Sequence, residues 1–360
     1  MYTVADSLAS ISPSLPTGLV GPESLAGIER IAGGLPAGLC ECFGFEVRIG
    51  EVQARTDFAL QVSTPAAWRL LAELSASSPV AHGPAVSAWE RITALGAAWC
   101  ESGRRLPEVI PAAWLEFDIE PSSPRHGIPA VFLELGPRVD NAAAAQLALA
   151  MIPELAAAPI SPSGRRAFAA CVENLPPDAR ISQVGTMLSR SIAALRLCVG
   201  CLEPSAIPAY LGSLGTPGLP ELAERILAVA PVGGERLKVD LDIVDSVLPR
   251  VGIEYALPDN RQLDGEQERR WGLLLDRLAE AGLCTRAKRD AVLAWSGTGR
   301  VTFPHRSQPV TAFRGISHVK VDADAEGRLG AKAYVGFLPD RLSLMFAATE
   351  SELVETEVPA

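Results

Sequence analysis

The sequence predicts an α+β protein: a ten-stranded antiparallel β-barrel built of five strand-strand-helix-helix repeats, with the helices forming an outer ring. Three observations carry that prediction. Runs in which apolar and charged residues alternate occur in consecutive pairs. Stretches with apolar residues about 3.6 apart follow those pairs, usually two at a time. The unit then recurs along most of the 360 residues. A parallel barrel would place a helix after every strand, so paired strands call for an antiparallel one.

Residues 1–40, rich in Ser, Pro, Gly and Leu, read as a lead-in with one short helix at 23–31. The barrel domain is expected over 41–345, with a C-terminal tail at 346–360. In the first repeat, Phe45, Val47 and Ile49 alternate with Glu46 and Arg48, the period-2 pattern of a half-buried strand. A second alternating run follows at 58–62. Helices are expected at 66–76 and 86–101, where Trp68, Leu71, Leu74 and Trp89, Ile92, Leu95, Trp99 fall on single faces. The second repeat has strands at 114–119 and 130–135 and helices at 142–157 and 164–174. The third has strands at 182–190 and 194–202 and helices at 207–214 and 221–230. The fourth has strands at 237–243 and 252–256, then one long helical stretch over 265–295. The fifth pairs 316–324 with 331–337 through the turn Asp324-Ala-Glu-Gly327.

One face of these strands is apolar (Leu115, Phe117, Leu195, Leu197, Val239, Leu241, Val319, Val321) and should pack against the helices. The other carries Glu46, Arg48, Trp114, Glu116, Asp118, Glu134, Gln183, Arg196, Lys238, Asp240, Asp242, Glu254, His318, Lys320, Asp322, Lys332 and Tyr334. Ten strands enclose too wide a lumen for apolar side chains to fill, so this face should line a polar chamber. Arg196, Lys238, Lys320 and Lys332, converging from rigid strands, suit a multiply charged anion such as a diphosphate. Glu116 and Glu46 are the candidate bases, since burial raises a carboxyl pKa toward neutrality. His318 is the histidine on a predicted strand that faces inward; it reads equally as an acid/base or as a structural hydrogen-bonder.

Several function classes are disfavoured. Lys+Arg 32 against Asp+Glu 42 gives −10 at pH 7, the wrong sign for holding nucleic acid by its phosphates. The charge-free stretch 204–220 is broken by Pro204, Pro208, Pro217 and Pro220, so no membrane span is expected. No basic segment leads into an apolar one at the N-terminus, and a cytoplasmic protein is expected. Seven scattered cysteines, with Cys198-Val-Gly-Cys201 the single CxxC, read as reduced core thiols. No HExxH, GxSxG or GxxxxGK[ST] pattern occurs.

Five such repeats around a lumen lined by Lys, Arg and Tyr, with Lys332-Ala-Tyr334 similar to a K-x-Y strand motif, resemble the ABBA aromatic prenyltransferases, the PT barrel. The resemblance spans about residues 44–340. It implies a transferase moving a prenyl group from a prenyl diphosphate to an aromatic small molecule or a peptide side chain. Arg196, Lys238, Lys320, Lys332 and Tyr334 would hold the donor, with Trp114 beside the substrate and Glu116 or Glu46 as base. The chain departs from the family in having four tyrosines, of which Tyr334 points inward; Trp114, Phe132 and Met187 would supply the apolar wall instead. Asp118, Asp240, Asp242 and Asp322 are a second departure. They would hold Mg²⁺ with the diphosphate, pair with the lysines, or mark a different ligand. The alternatives are accordingly a metal-assisted hydrolase or peptide-modifying enzyme in the same barrel, and a non-catalytic barrel that encloses a peptide or small metabolite.

Overall fold

Two helices precede the first strand. The first, α1 (Val4–Ile11), begins at a capping box in which the Thr3 hydroxyl accepts from the Asp6 amide and the Asp6 carboxylate from the Thr3 amide, both at 2.9 Å. The second, α2 (Pro22–Gly33), contains the predicted 23–31 helix. Leu8, Ile11, Ile28 and Ile31 join the same core as the barrel strands. The computed structural model describes residues 3–40, 42–74, 84–120, 127–190, 194–231, 237–257, 265–303 and 309–339. His82, His126, His305 and the 346–360 tail lie outside them.

The repeats follow in the predicted order. β1 (Cys42–Arg48) and β2 (Thr56–Val62) lead into α3 (Pro65–Glu73), α4 (Pro84–Glu101) and a short α5 (Arg105–Val109). β3 (Ala112–Phe117) and β4 (Ala130–Glu134) lead into α6 (Asn141–Ala156) and α7 (Pro162–Glu173). β5 (Arg180–Met187) and β6 (Leu195–Leu202) precede α8 (Ile207–Gly212) and α9 (Leu219–Val229). β7 (Leu237–Ile243) and β8 (Val251–Tyr255) precede α10 (Gly265–Glu280) and α11 (Arg286–Trp295). The chain ends in β9 (Gly297–Val301), β10 (Val310–Ala323) and β11 (Leu329–Pro339). Each strand from β1 to β7 pairs antiparallel with its successor; β8 pairs with β10, β10 with β11, and β11 with β1, which closes a ten-stranded barrel. β9 adds outside this ring, along residues 310–314 of β10.

Three differences from the sequence reading have local causes. The long helix at 265–295 is two helices: Gly282 takes a left-handed φ of +74°, and the Thr285 hydroxyl caps α11 by accepting from the Lys288 amide. Helices α1 and α5 lie where no helix was expected, α5 being a single turn too short to show a period. β10 runs to 14 residues because β9 supports its first five, Val310–Arg314, and a bulge between Ile316 and His318 resets its alternation.

The core lies between the outer faces of the strands and the helix ring, as the alternation requires. Phe45, Leu115, Phe117, Leu197, Val239 and Val321 are almost wholly buried there. Aromatic residues concentrate on this outer side: Phe43 packs on Phe337 at 5.1 Å, and Phe58 on Phe117 at 6.2 Å, between centroids. Trp68 and Trp99 stack at 4.9 Å to lock α3 on α4. Few aromatic rings are therefore left for the lumen.

Two glycines let lumen side chains lie flat. A Cβ on Gly185 would meet the Phe132 ring at 2.4 Å and the Val131 carbonyl at 2.5 Å, and one on Gly252 would meet Lys320 Cε at 2.4 Å. Gly185→Ala is expected to destabilise the fold by about 1–3 kcal/mol through overpacking, read as a lowered melting temperature. An unchanged melt would mean that Phe132 moves aside freely.

Candidate active site

The lumen is a cup. Its open end carries a cavity of about 800 Å³ lined by, among others, Trp114, Glu116, Arg196, Lys238, Lys320 and Tyr334. Beneath it a small pocket of about 30 Å³ contains Glu46, Asp57, Asp118 and Lys332. Phe132, Met187, Ala130 and Ala194 form an apolar cluster separate from the main core, with Trp114 packed against it. This is the apolar wall expected from Trp114, Phe132 and Met187.

The polar wall consists of ion pairs between neighbouring strands. Arg196 on β6 makes a bidentate pair with Asp242 on β7, 2.8 Å at each contact, and Arg250 approaches the same carboxylate at 2.5 Å. Lys238 on β7 lies 2.5 Å from Glu254 on β8 and donates to Gln183 Oε1 at 3.1 Å. Lys320 on β10 pairs with Asp240 on β7. Lys332 on β11 lies 2.5 Å from Glu46 on β1, and the Tyr334 hydroxyl donates to the other Glu46 oxygen at 2.6 Å. The fold thus brings the four predicted cations into one lumen, but each already faces a carboxylate. Lys332 lies in the lower pocket, away from the main cavity, because its register places it opposite Arg48.

The two candidate bases separate clearly. Burial would push Glu46 up, but the Lys332 charge and the hydrogen bonds from Lys332 and Tyr334 outweigh it and hold the carboxyl at about 2. Glu46 is therefore a counter-ion, which corrects its assignment as a base. Glu116 lies at the floor of the cavity, bordering both pockets, between Ala59 on β2 and Ala130 on β4. Those short neighbours offer it nothing to bond. Among the described residues it forms no ion pair and accepts no hydrogen bond, and burial, helped by the nearby Glu46 charge, pushes it up to about 7.

His318 stacks on Tyr334 with ring centroids 4.0 Å apart. Its Nδ1 lies 3.1 Å from the Ser317 hydroxyl and its Nε2 3.7 Å from Glu254. Burial and then the charges of Lys238 and Lys320 hold its pKa well below the usual value, so the imidazole is neutral and braces Tyr334. Glu134 accepts from Trp114 Nε1 and Gln61 Nε2, both at 3.4 Å. Tyr210 and Tyr255 belong to the outer core, in agreement with Tyr334 as the inward tyrosine.

The proposed Mg²⁺ ligands do not assemble. Asp240 and Asp242 are held by Lys320 and by two arginines, Asp118 just past β3 accepts from the Ser189 hydroxyl just past β5 at 2.7 Å, and Asp322 borders neither pocket. Among the described residues no three His, Cys, Asp or Glu side chains gather to hold a metal ion.

Sequence reasoning missed Cys198, which lines the cavity between Gln183 and Asp240. Burial and the Asp240 charge keep it a thiol. It also missed Asp57, paired with Arg48 at 2.7 Å, and the small residues Ala59, Gly44, Gly315 and Gly336 along one wall. Alternation places all but Gly315 inside, and small side chains carry no chemical signal to single them out.

No described helix is long and apolar enough to cross a membrane. No protein-family model and no curated protein matches the sequence. Among solved structures, AnaPT from Neosartorya fischeri is similar over 93% of this chain and 92% of its own, with a TM-score of 0.50 at 10% identity. The NotF prenyltransferase is similar over 91% of both chains, with a TM-score of 0.50 at 12% identity. The closed antiparallel ring, its outer helices and this likeness along nearly the whole length agree: the chain has the PT-barrel fold of the ABBA prenyltransferases.

Proposed function

We propose that the chain is a prenyltransferase-like enzyme that transfers an allyl group from a prenyl diphosphate to an aromatic or peptide acceptor, with Glu116 as the base. One observation carries this reading: a lumen carboxylate that forms no ion pair among the described residues, pushed up to about 7 by burial, bordering an 800 Å³ cavity. A base poised near neutrality is what proton transfer from a weakly acidic N–H or O–H requires. As the acceptor attacks the allylic carbon, the carbon–oxygen bond to the diphosphate breaks. The leaving group keeps the bonding electrons and the acceptor proton passes to Glu116.

The donor would lie against Arg196, Lys238 and Lys320, whose strands form one continuous wall of β6, β7, β8 and β10. Because these cations are neutralised, an anion must displace a carboxylate. Glu254 is the one suited to yield, since burial and then the Asp240 charge push it up to about 7 despite Lys238. Once Glu254 is protonated, Lys238 is free to turn to the diphosphate. Any Mg²⁺ would arrive with the donor, the protein carboxylates being engaged elsewhere.

This predicts that diphosphate binding takes up about one proton. Titration calorimetry with dimethylallyl and geranyl thiolodiphosphates, with and without Mg²⁺, in buffers of different ionisation enthalpy, would measure it. Affinity should fall about tenfold per pH unit above 7 and level off below. Absence of heat with either analogue from pH 6 to 8 would defeat the donor assignment.

A second reading rests on the surplus of acceptors in the lumen. Beyond Glu116, Asp240 Oδ1 is buried without a hydrogen-bond partner. Such a chamber suits a neutral or cationic compound bound without a diphosphate, and the same titration separates the two readings.

A further inference from the structure

A second cavity, of about 560 Å³, lies outside the lumen at the end of the barrel away from the mouth. Its floor includes Leu195, which opens β6, and Ile243, which closes β7, while the main cavity is lined by the other ends of these strands and their neighbours, at Leu135, Arg180 and Lys238. The walls are α4, the last turns of α6 and the link into α7. None of its described lining residues borders the main cavity. Elsewhere on the outer face of the strands, rings such as Phe43, Phe58 and Phe117 fill the space beneath the helices. Here none of the described lining residues is aromatic, and α4 and α6 present Ala88 and Ala156. Protein interiors are otherwise close-packed, and a hollow of this size falls among small-molecule sites of about 300–1,000 Å³.

Three local features fix the side of the cavity formed by the link. α6 ends at Ala157, whose φ of +52° is costly for any residue but glycine, and Ala158, Pro159, Ile160 and Ser161 then run along the cavity. Asp245, just past β7, accepts from the Ser161 hydroxyl at 2.6 Å and from the Ser163 hydroxyl at 3.2 Å, which ties the link to the strand end. A Cβ on Gly164 would run into the Val244 carbonyl, so a glycine is what lets the start of α7 approach that closely.

The charge in the cavity is uneven. Arg91 on α4 donates from Nε to the Leu155 carbonyl at 2.6 Å and from Nη1 to the Ser87 carbonyl at 2.8 Å, and among the described residues it makes no ion pair. Two main-chain acceptors thus fix the guanidinium without cancelling its charge, and both N–H groups on Nη2 remain to be used. Arg190 adds a second positive charge, although it lies 3.9 Å from Asp118, and Asp245 is engaged by the two serines.

We infer that this cavity binds an aliphatic monocarboxylate, with its carboxylate on the open edge of Arg91 and its chain among Ile128, Ile152, Ile160, Leu188 and Leu195. A guanidinium fork matches a planar carboxylate through parallel charge-assisted bonds. A lining of branched aliphatic side chains offers a ring nothing to stack on, and so favours a chain. The inference uses neither Glu116 nor the lumen cations, and it stands or falls apart from the proposed reaction.

Decanoate is the probe, with decanol as its uncharged counterpart. By titration calorimetry the full-length protein should bind decanoate at one site. Arg91→Met should weaken that binding at least about tenfold while decanol binds as it does to the wild type. Ala156→Phe, which fills the cavity from α6, should weaken both compounds. Gly315→Leu narrows the main cavity, where a Cβ would meet nothing within 4 Å, and should leave decanoate binding unchanged. If Arg91→Met or Ala156→Phe fails to fold, Arg91→Lys and Ala156→Leu should show smaller losses in the same direction. Absence of saturable decanoate binding by the wild type, undiminished binding by the Arg91 and Ala156 variants, a loss in Arg91→Met that decanol shares equally, or a loss in Gly315→Leu would each overturn the inference.

Discussion

Glu116→Gln is expected to lower turnover by about 10²–10⁴-fold and, at pH 8, to make the protein more stable. Both effects follow from the placement of one carboxyl between Ala59 and Ala130, where neither neighbour can bond it. In the unfolded chain the group titrates near its ordinary 4.5, and in the barrel it is pushed up to about 7 by burial and by Glu46. Between those pH values the native state holds a proton that the unfolded state has lost, so stability falls as pH rises. The loss is complete above about pH 7 and absent below about pH 4.5, and it amounts to at most about 3 kcal/mol. Glutamine keeps the shape and never ionises. The variant should therefore melt higher than the wild type at pH 8 and alike at pH 4, with thiolodiphosphate binding retained. Thermal melts across that range, set beside single-turnover rates, would check it. A stability gain that did not depend on pH would show that Glu116 is not the perturbed group, and a variant with full turnover would place the base elsewhere.

The same environment explains what could be read from the sequence. Period-2 alternation is enforced wherever one strand face packs on helices, so Phe45, Leu115, Val239 and Val321 announced the barrel and its inward face correctly. Convergence of Arg196, Lys238 and Lys320 followed from that parity. Their pairing did not, because which carboxylate meets which cation depends on register between strands: Asp240 reaches Lys320 on β10, beyond its immediate neighbour β8, and Asp242 reaches both Arg196 and Arg250. The two candidate bases were equivalent as residue types. They diverge only because Tyr334 lies opposite Glu46 and Lys332 reaches it diagonally from opposite Arg48, while alanines flank Glu116. The row of glycines along the cavity wall was the least legible feature, since Gly315, Gly336 and Gly44 come from three different strands and are distinguished by what they lack. The bulge at Ile316 and His318, which shifts β10 so that Gly315 faces inward beside Gly336, has no signature in the alternation.

Asp240→Asn is expected to destabilise the free protein by about 3–5 kcal/mol, because it strands the Lys320 ammonium in a site where that residue is only 6% exposed. Lys320 cannot easily withdraw, since its stem lies across Gly252. Burial works against the Asp240 charge, but Lys320, Lys238 and Arg196 outweigh it and hold its pKa well below the ordinary 3.8. Its stabilising contribution is therefore complete above about pH 4 and lost as pH falls, and the deficit of Asp240→Asn should shrink in acid. Removing both charges is a different experiment. Asp240→Leu with Lys320→Met should restore most of the stability, because the pair is costly to desolvate and its deletion leaves nothing unpaired. The two variants separate a structural pair from a donor site. If Lys320 can turn to a diphosphate, Asp240→Asn should bind the thiolodiphosphates more tightly than the wild type, and their addition should raise its melting temperature by more. The doubly substituted protein should lose that binding while remaining folded. Equal affinity in all three would mean that the lumen cations serve only to hold the barrel's acids, leaving Glu116 as the chemistry of this chamber.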